Sequence, residues 1–402
     1  MSTGRARPTV LAILLAGGAG GRMGPLTEGK AKPALPFAGS YHLVDIPLSN
    51  LMHSGIADVW VVEQFQPHAL NEHVANGRPW DLDRTRGGLQ LLPPYQGDAG
   101  EGFAEGNADA LYRQAGLIRE FGPDLVLTLS TDHLYRLDYR DLIDTHLAAD
   151  ADLTMVTTEV DGDVSRFSVV TAEDGRVTDF AYKPESPSSS LVGTEVFLYD
   201  TGVLLDTLGM LLERDGKLED YGDALIPHLV EHGTVAEHRL TGYWRDVGTV
   251  ESYWQAHQEL VHGTGFDVAD PTWPMHTAQP QQRPALVAAG AVVSDSLLSP
   301  GAEIRGTVID SVIGPGVVVA ADATVRESVL MDGARVGEGA TVTRALVDLD
   351  VRVGAGAVVG ADDAGGSSSA ADDDAGITVL GARHRVPDGE RIPPGARLPE
   401  PD

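Results

Sequence analysis

Cysteine is absent from the 402 residues. That excludes disulfides, thiolate metal sites and a cysteine nucleophile, and it accords with a reducing, cytoplasmic setting. Basic residues are scarce: 29 Lys and Arg against 59 Asp and Glu give a formal net charge of -30. Such a surface repels nucleic acid and anionic membranes, so neither is an expected partner. A phosphate-bearing ligand needs a local positive pocket built against the global field. Long hydrophobic runs are lacking too, and no stretch reaches the length of a transmembrane helix. The apolar run Val10 to Ala16, preceded by Arg5 and Arg7, imitates a secretory leader. Its glycines lead straight into Arg22, however, and a buried parallel strand ending in a glycine-rich turn explains the run better.

What is present is ample apolar material, 42% of the chain, enough for two or three domains. Up to about residue 260, short apolar runs alternate with longer mixed segments. Val10–Leu15, Asp58–Glu63, Leu125–Leu129 and Leu153–Glu159 read as strands; Ala108–Phe121 and Tyr139–Ala149 read as helices. This alternation predicts an α/β domain with a Rossmann-like, mostly parallel sheet, whose ligands sit at the carboxyl ends of the strands. We assign it residues 1–262. The proline-rich stretch 263–284 reads as a linker.

From Ala285 onward apolar residues recur every six positions: Val292, Leu298, Ile304; Ile313, Val319, Val325; Val336, Val342; Val353, Val359. Glycine follows several of them, as at Gly314, Gly337 and Gly354. Neither helical spacing nor strand alternation selects a period of six. A three-sided parallel β-helix does, with one hexad per flat side and the anchor pointing inward. We assign it residues 285–390, with a loose tail at 391–402. The acidic low-complexity stretch 362–376 reads as a disordered loop.

The first strand runs into Leu15-Ala16-Gly17-Gly18-Ala19-Gly20-Gly21-Arg22. Glycines let the backbone approach a phosphate chain, and Arg22 can grip its oxygens in a two-pronged contact. Lys30 and Lys32 follow, and Lys32 can lean over the same phosphates. Neither a Walker A ending nor the surroundings of a dinucleotide fingerprint are present.

With Lys32-Pro33-Ala34 this turn resembles the signature of the sugar nucleotidyltransferases, and more narrowly of the bacterial ADP-glucose pyrophosphorylases. Further matching stretches are Val44 to Asn50, Gly106 to Ala110, Asp132 to Tyr135, Lys183-Pro184 and Tyr243 to Thr249, in the same order along the chain. The resemblance implies a GT-A-like catalytic domain followed by a left-handed β-helix. It also implies a Mg²⁺-dependent enzyme that joins an NTP, foremost ATP, to a sugar 1-phosphate and releases pyrophosphate.

Residue roles follow from the same resemblance. Arg22, Lys32, Asp132 and Lys183 are the catalytic set. Asp132, at a strand's carboxyl end, and Asp246 are the metal pair, a number of carboxylates that suits Mg²⁺. Leu15, Ala16, Gly17, Gly18, Gln96, Gly106 and Asp109 are assigned to the nucleotide. Thr131, Tyr182, Lys183, Thr194 and Glu195 are assigned to the sugar phosphate. His133 and Trp244 read as structural.

The phosphate and metal residues keep the family pattern, and the sugar pocket departs from it. Gly-Asp-His reads Thr131-Asp132-His133, Glu-Lys-Pro reads Tyr182-Lys183-Pro184, Phe-Gly reads Phe167-Ser168, and Ser-Met-Gly aligns with Gly193-Thr194-Glu195. Altering groups that would contact hydroxyls should alter the acceptor. An amino-sugar or cyclitol phosphate, or another NTP, therefore stands as an alternative, and a non-catalytic regulatory subunit as a second. A β-helix acyltransferase is set aside because no histidine lies between Ala285 and Ala382. The flat β-helix sides suit packing into a homo-oligomer such as a tetramer.

Overall fold

The computed structural model describes residues 7–17, 21–94, 104–360 and 376–399. Residues 362–375 of the low-complexity stretch, Gly18 and Gln96 therefore lie outside the described residues.

A nine-stranded sheet forms the first domain, in the order Gly88–Leu92, Asp58–Glu63, Val10–Ala16, Leu125–Ser130, Leu191–Asp200, Leu153–Glu159, Val235–Arg239, Arg176–Tyr182, Ser168–Glu173. All but two strands point the same way; Leu191–Asp200 and Arg176–Tyr182 run antiparallel to their neighbours. Both faces of the sheet are covered, so the first strand is apolar along its length. Leu11 and Ile13 enter one core with Phe197 and Leu208, while Ala12, Leu14 and Ala16 enter the other with Leu48 and Tyr139. The segment that imitates a leader is thus a buried central strand.

The expected helix 108–121 is two helices, Asn107–Tyr112 and Ala115–Phe121, separated at Arg113 and Gln114. Tyr139–Ala149 is one helix, begun by the Asp138 side chain accepting from the Arg140 N–H, the usual role of Asp before a first turn.

The second domain is a three-sided parallel β-helix built from three six-stranded sheets. Ile304, Ile313, Val319, Val325, Val336, Val342, Val353 and Val359 all point into its core. Glycine after an anchor is required by the stacking of coils. A side chain at Gly337 would place its Cβ 2.7 Å from the Ala355 nitrogen and 2.8 Å from the Gly354 carbonyl carbon.

The boundary at 391 needs correction. Arg391–Ile392 and Arg397–Leu398 are strands that extend two of the sheets. The prolines of that stretch read as loose tail because proline cannot donate to a ladder; here Pro393 and Pro394 fall between strands, at a corner.

Residues 263–284 form no strand or helix but are docked rather than loose. Met275 is buried, Trp273 Nε1 donates to Asn50 Oδ1 at 2.8 Å, and the His276 carbonyl accepts from Trp80 Nε1 at 3.0 Å. A third core joins the domains: Met23, Leu26, Phe37, Leu43 and Tyr253 pack with Val312, Val329, Met331, Leu346 and Val379.

Candidate active site

Asp132 lies just beyond Ser130, the last residue of Leu125–Ser130. The chain then enters a short ribbon in which His133–Tyr135 pairs antiparallel with Trp244–Asp246, and Asp246 faces His133 in register. This ribbon brings two carboxylates separated by more than a hundred residues to one point. Gly248 serves the same end: a Cβ there would lie 2.8 Å from Asp246 Oδ1.

Lys32 comes in from a one-turn helix, Lys32–Ala34, pinned by backbone bonds from Val44 N to Pro33 O and from Leu43 N to Leu35 O, each 3.1 Å. Its ammonium pairs with Asp132 Oδ2 in a short contact and lies 3.9 Å from Asp246 Oδ1. Ser130 Oγ donates to the other Asp132 oxygen. Burial alone would raise the Asp132 pKa. The Lys32 and His133 charges, with the bonds from Lys32 and Ser130, outweigh it and hold the carboxyl well below its ordinary range. Burial would lower Lys32, yet the two carboxylates raise it. His133 is likewise raised against its burial by Asp132, Glu195 and Asp246, and its Nδ1 is anchored 3.0 Å from the Thr194 carbonyl.

The carboxylate pair fits a divalent cation. A cationic ammonium already sits between the two groups, and their oxygens are the hard donors such ions take. Asp132, His133 and Glu195 together offer three ligand atoms within 4.8 Å of one another.

Around this point Arg22, Asp132, His133, Arg166, Phe167, Ser168, Lys183, Gly193, Glu195 and Asp246 line one cleft. Lys183 lies over the Tyr182 ring at 4.3 Å and donates to its hydroxyl at 2.7 Å. Tyr182 in turn donates to Asp220 Oδ2 at 3.0 Å. Glu195 occupies a bulge of its strand with φ of 56°, a backbone that side chains adopt at a cost. Burial raises its pKa, opposed by His133 and reinforced by Asp132 and Asp246.

Two assigned residues do not face the cleft. Thr131 is buried and donates to the Leu15 carbonyl at 3.4 Å. Thr194 is fully buried and donates to the Val156 carbonyl at 3.0 Å. Each hydroxyl is already used beneath the sheet, so a sugar-contacting role for either side chain is corrected. Lys30 is not part of the phosphate cluster either. Its ammonium reaches across to the β-helix and pairs with buried Asp348 at 2.6 Å.

Gly17 follows the first strand, and a Cβ there would meet the Gln64 amide at 2.5 Å. Glu63 is the register partner of Ala16. It lines, with Gln64, Pro93, Pro94 and Arg113, a second cleft beside that turn. Gly106 precedes the helix Asn107–Tyr112; a Cβ there would lie 2.3 Å from the Glu219 backbone. Asp109 is bound to Arg113, at 3.0 Å, and to the Glu105 N–H, at 3.1 Å, which orders the loop. Sequence reading passed over Arg166 and Glu63. Arg166 carries a signal in hindsight, since it immediately precedes the altered Phe167-Ser168 pair.

Carboxylates at strand ends, a glycine turn and a convergent Lys and Arg define an enzyme that handles nucleoside phosphates with a divalent ion. The chain belongs to the nucleotidyl transferase family, whose pattern it matches over residues 11–263. Residues 285–380 match the GlmU-like C-terminal hexapeptide family.

Among its relatives is a protein of Thermotoga maritima named glucose-1-phosphate adenylyltransferase, 43% identical over 79% of this chain and 76% of the relative. Proteins of the same name from Thermomicrobium roseum and Clostridium acetobutylicum are 42% and 36% identical. They are matched over 77% and 79% of this chain and over 79% and 84% of their own lengths. The function is nucleotidyl transfer of the ADP-glucose pyrophosphorylase type; these relatives favour neither the regulatory subunit nor the altered acceptor. Among the described residues no helix is long and apolar enough to cross a membrane.

Proposed function

We propose that this chain transfers the adenylyl group of ATP to glucose 1-phosphate in the cytoplasm, using Mg²⁺. The reading rests chiefly on the convergence of Asp132, Asp246 and Lys32 at the strand ends beside the glycine turn. A phosphate oxygen of glucose 1-phosphate attacks the α-phosphorus of ATP. The bond from that phosphorus to the bridging β-oxygen breaks, and its electron pair leaves with pyrophosphate. Mg²⁺ held by Asp132 and Asp246 supplies charge neutralisation for the reacting phosphates.

The remaining work is positioning and electrostatics by the chain itself. Arg22 and Lys32 hold the β- and γ-phosphates, Lys32 exchanging its carboxylate contact for phosphate oxygens when ATP binds. Lys183 holds the phosphate of the sugar, and Glu195 and Tyr182 shape the pocket for the sugar ring. Leu15, Ala16, Gly17, Gly106 and Asp109 border the nucleoside. Gly18 and Gln96 belong to the same group by sequence.

The decisive test is pyrophosphate release from ATP and glucose 1-phosphate by wild type and Asp132→Asn. Substituting the carboxylate should lower kcat by about 10²–10³-fold, the scale of a lost electrostatic stabiliser, while the far-UV spectrum is unchanged. Full turnover by a folded Asp132→Asn protein would remove the assignment.

The chain also assembles through its β-helix in this reading. Leu286, Val287, Val292 and Leu297 of the first coil are all more than a third exposed, apolar surface of the kind that packing between copies covers. Sedimentation equilibrium should show a homo-oligomer, with a tetramer the expected closed form; a monomer at every concentration would overturn this part.

A further inference from the structure

Away from the cleft, three side chains converge from three elements. His42 ends the short strand Tyr41–His42, Asp45 opens the helix Asp45–Ser54, and His73 lies in the last turn of the helix Pro67–Val74. Each offers a ligand atom, and the three atoms lie within 4.8 Å of one another. The imidazole centroids are 3.7 Å apart, and His73 Nε2 is 2.6 Å from Asp45 Oδ1. Asp45 Oδ2 accepts from the His42 N–H at 2.8 Å.

Hydrogen bonding accounts for both Asp45 oxygens and for His73 Nε2, but not for the His42 ring. Asp45 is fully buried, and His42 Nδ1 is buried with no hydrogen-bond partner. Buried polar atoms are ordinarily satisfied, and each exception calls for a cause.

We propose that His42, Asp45 and His73 form a second metal site, one that takes a divalent transition ion of the zinc type. Two imidazoles and one carboxylate suit zinc, cobalt or nickel, whereas Mg²⁺ prefers oxygen donors throughout. A three-ligand set leaves a fourth tetrahedral position for solvent. The ion replaces the proton between Asp45 and His73, and those atoms open from 2.6 Å to about 3.3 Å.

Its effect is mechanical. Leu43 and Val44, between two of the ligands, carry the backbone bonds that pin the turn bearing Lys32, so the ion clamps that turn from behind. The site shares no residue with the catalytic cleft and does not depend on which sugar phosphate is used.

Asp132, His133 and Glu195 could also hold an ion, so the test uses the full chain carrying Asp132→Asn. The chelator-stripped protein is titrated with Co²⁺ and followed by visible ligand-field absorption. One saturable equivalent is expected, displaced by Zn²⁺ and not by Mg²⁺, and weakened at least tenfold when His42→Gln is added. Zn²⁺ should also raise the Tm of the Asp132→Asn protein and leave that of the His42→Gln double variant unmoved. If His42→Gln fails to fold, His73→Gln carries the same comparison. No saturable absorption in the folded Asp132→Asn protein overturns the site, as does binding unaffected by both histidine substitutions.

Discussion

Lys32 is paired with Asp132, and the pairing has a measurable pH signature. The Asp132 carboxyl is depressed in the folded state. Its contribution to stability is therefore present above the ordinary carboxylate range, about 3.9, and is lost as pH falls through that range toward the folded value. Lys32→Met removes the partner. The variant should be less stable by about 3 kcal/mol at pH 7, the lower end for breaking a largely buried pair. Its acid limb should be shallower, meeting wild type at low pH. Chemical denaturation between pH 7 and 3 measures both.

At this scale the residues of charge chemistry were legible in the sequence. Arg22, Lys32, Asp132, Lys183 and Asp246 were picked out by the family resemblance, since the aspartates taken singly read as ordinary turn or surface charges, and the fold sets Arg22, Asp132, Lys183 and Asp246 along one cleft with Lys32 paired to Asp132. Hydroxyl residues were not legible. Whether Thr194 faces a cleft or the underside of its strand depends on one step of strand register, and Glu195 beside it sits where a bulge shifts that register; Thr131 lies in the loop beyond Ser130, where no period applies.

Elements were read best where their period is simple. The strand Leu153–Glu159 and the helix Tyr139–Ala149 carry the expected bounds. The hexad reading extends through the β-helix because the anchors from Ile304 onward fill the same core position coil after coil, while Val292 of the first coil is exposed. Boundaries failed where residues at the end of an element obey a different rule. The paired helices at 107–121 share one hydrophobic pattern across a break, and the last coil hides behind corner prolines. The glycines at the corners make a sharp prediction. Gly337→Ala drives a Cβ into the backbone of the next coil, at 2.7 Å from the Ala355 nitrogen. The expected cost is about 1–3 kcal/mol, read as a lowered Tm of the β-helix.

Across the whole molecule the two domains meet at a charged seam as well as an apolar one. Lys30 enters a group of β-helix carboxylates in which Asp332 is raised to about 6, mainly by burial, with Asp348 and Asp350 adding to the rise and Lys30 opposing it. A carboxyl raised in the folded state favours folding below the ordinary carboxylate range, near 3.9, and that stability is lost as pH rises through about 6. Asp332→Asn removes the ionisation. The variant should melt above wild type at pH 8, and the gap should close as pH approaches 4. Equal melting temperatures at every pH would show that the seam tolerates the charge. No local pattern could have revealed this contact, because Lys30 and Asp348 stand far apart in the chain and each reads alone as an ordinary surface charge.

The segment Gly21–Thr27, which carries Arg22, rests on the strands Thr378–Leu380 and Arg397–Leu398. A Cβ at Gly381 would meet Pro25 at 2.9 Å. These coils leave the ribosome hundreds of residues after the turn they support. At about 5–20 residues per second, the segment Gly21–Thr27 waits tens of seconds for the strands that back it. A nascent chain stalled or cleaved before residue 378 would lack the wall against which the segment carrying Arg22 packs.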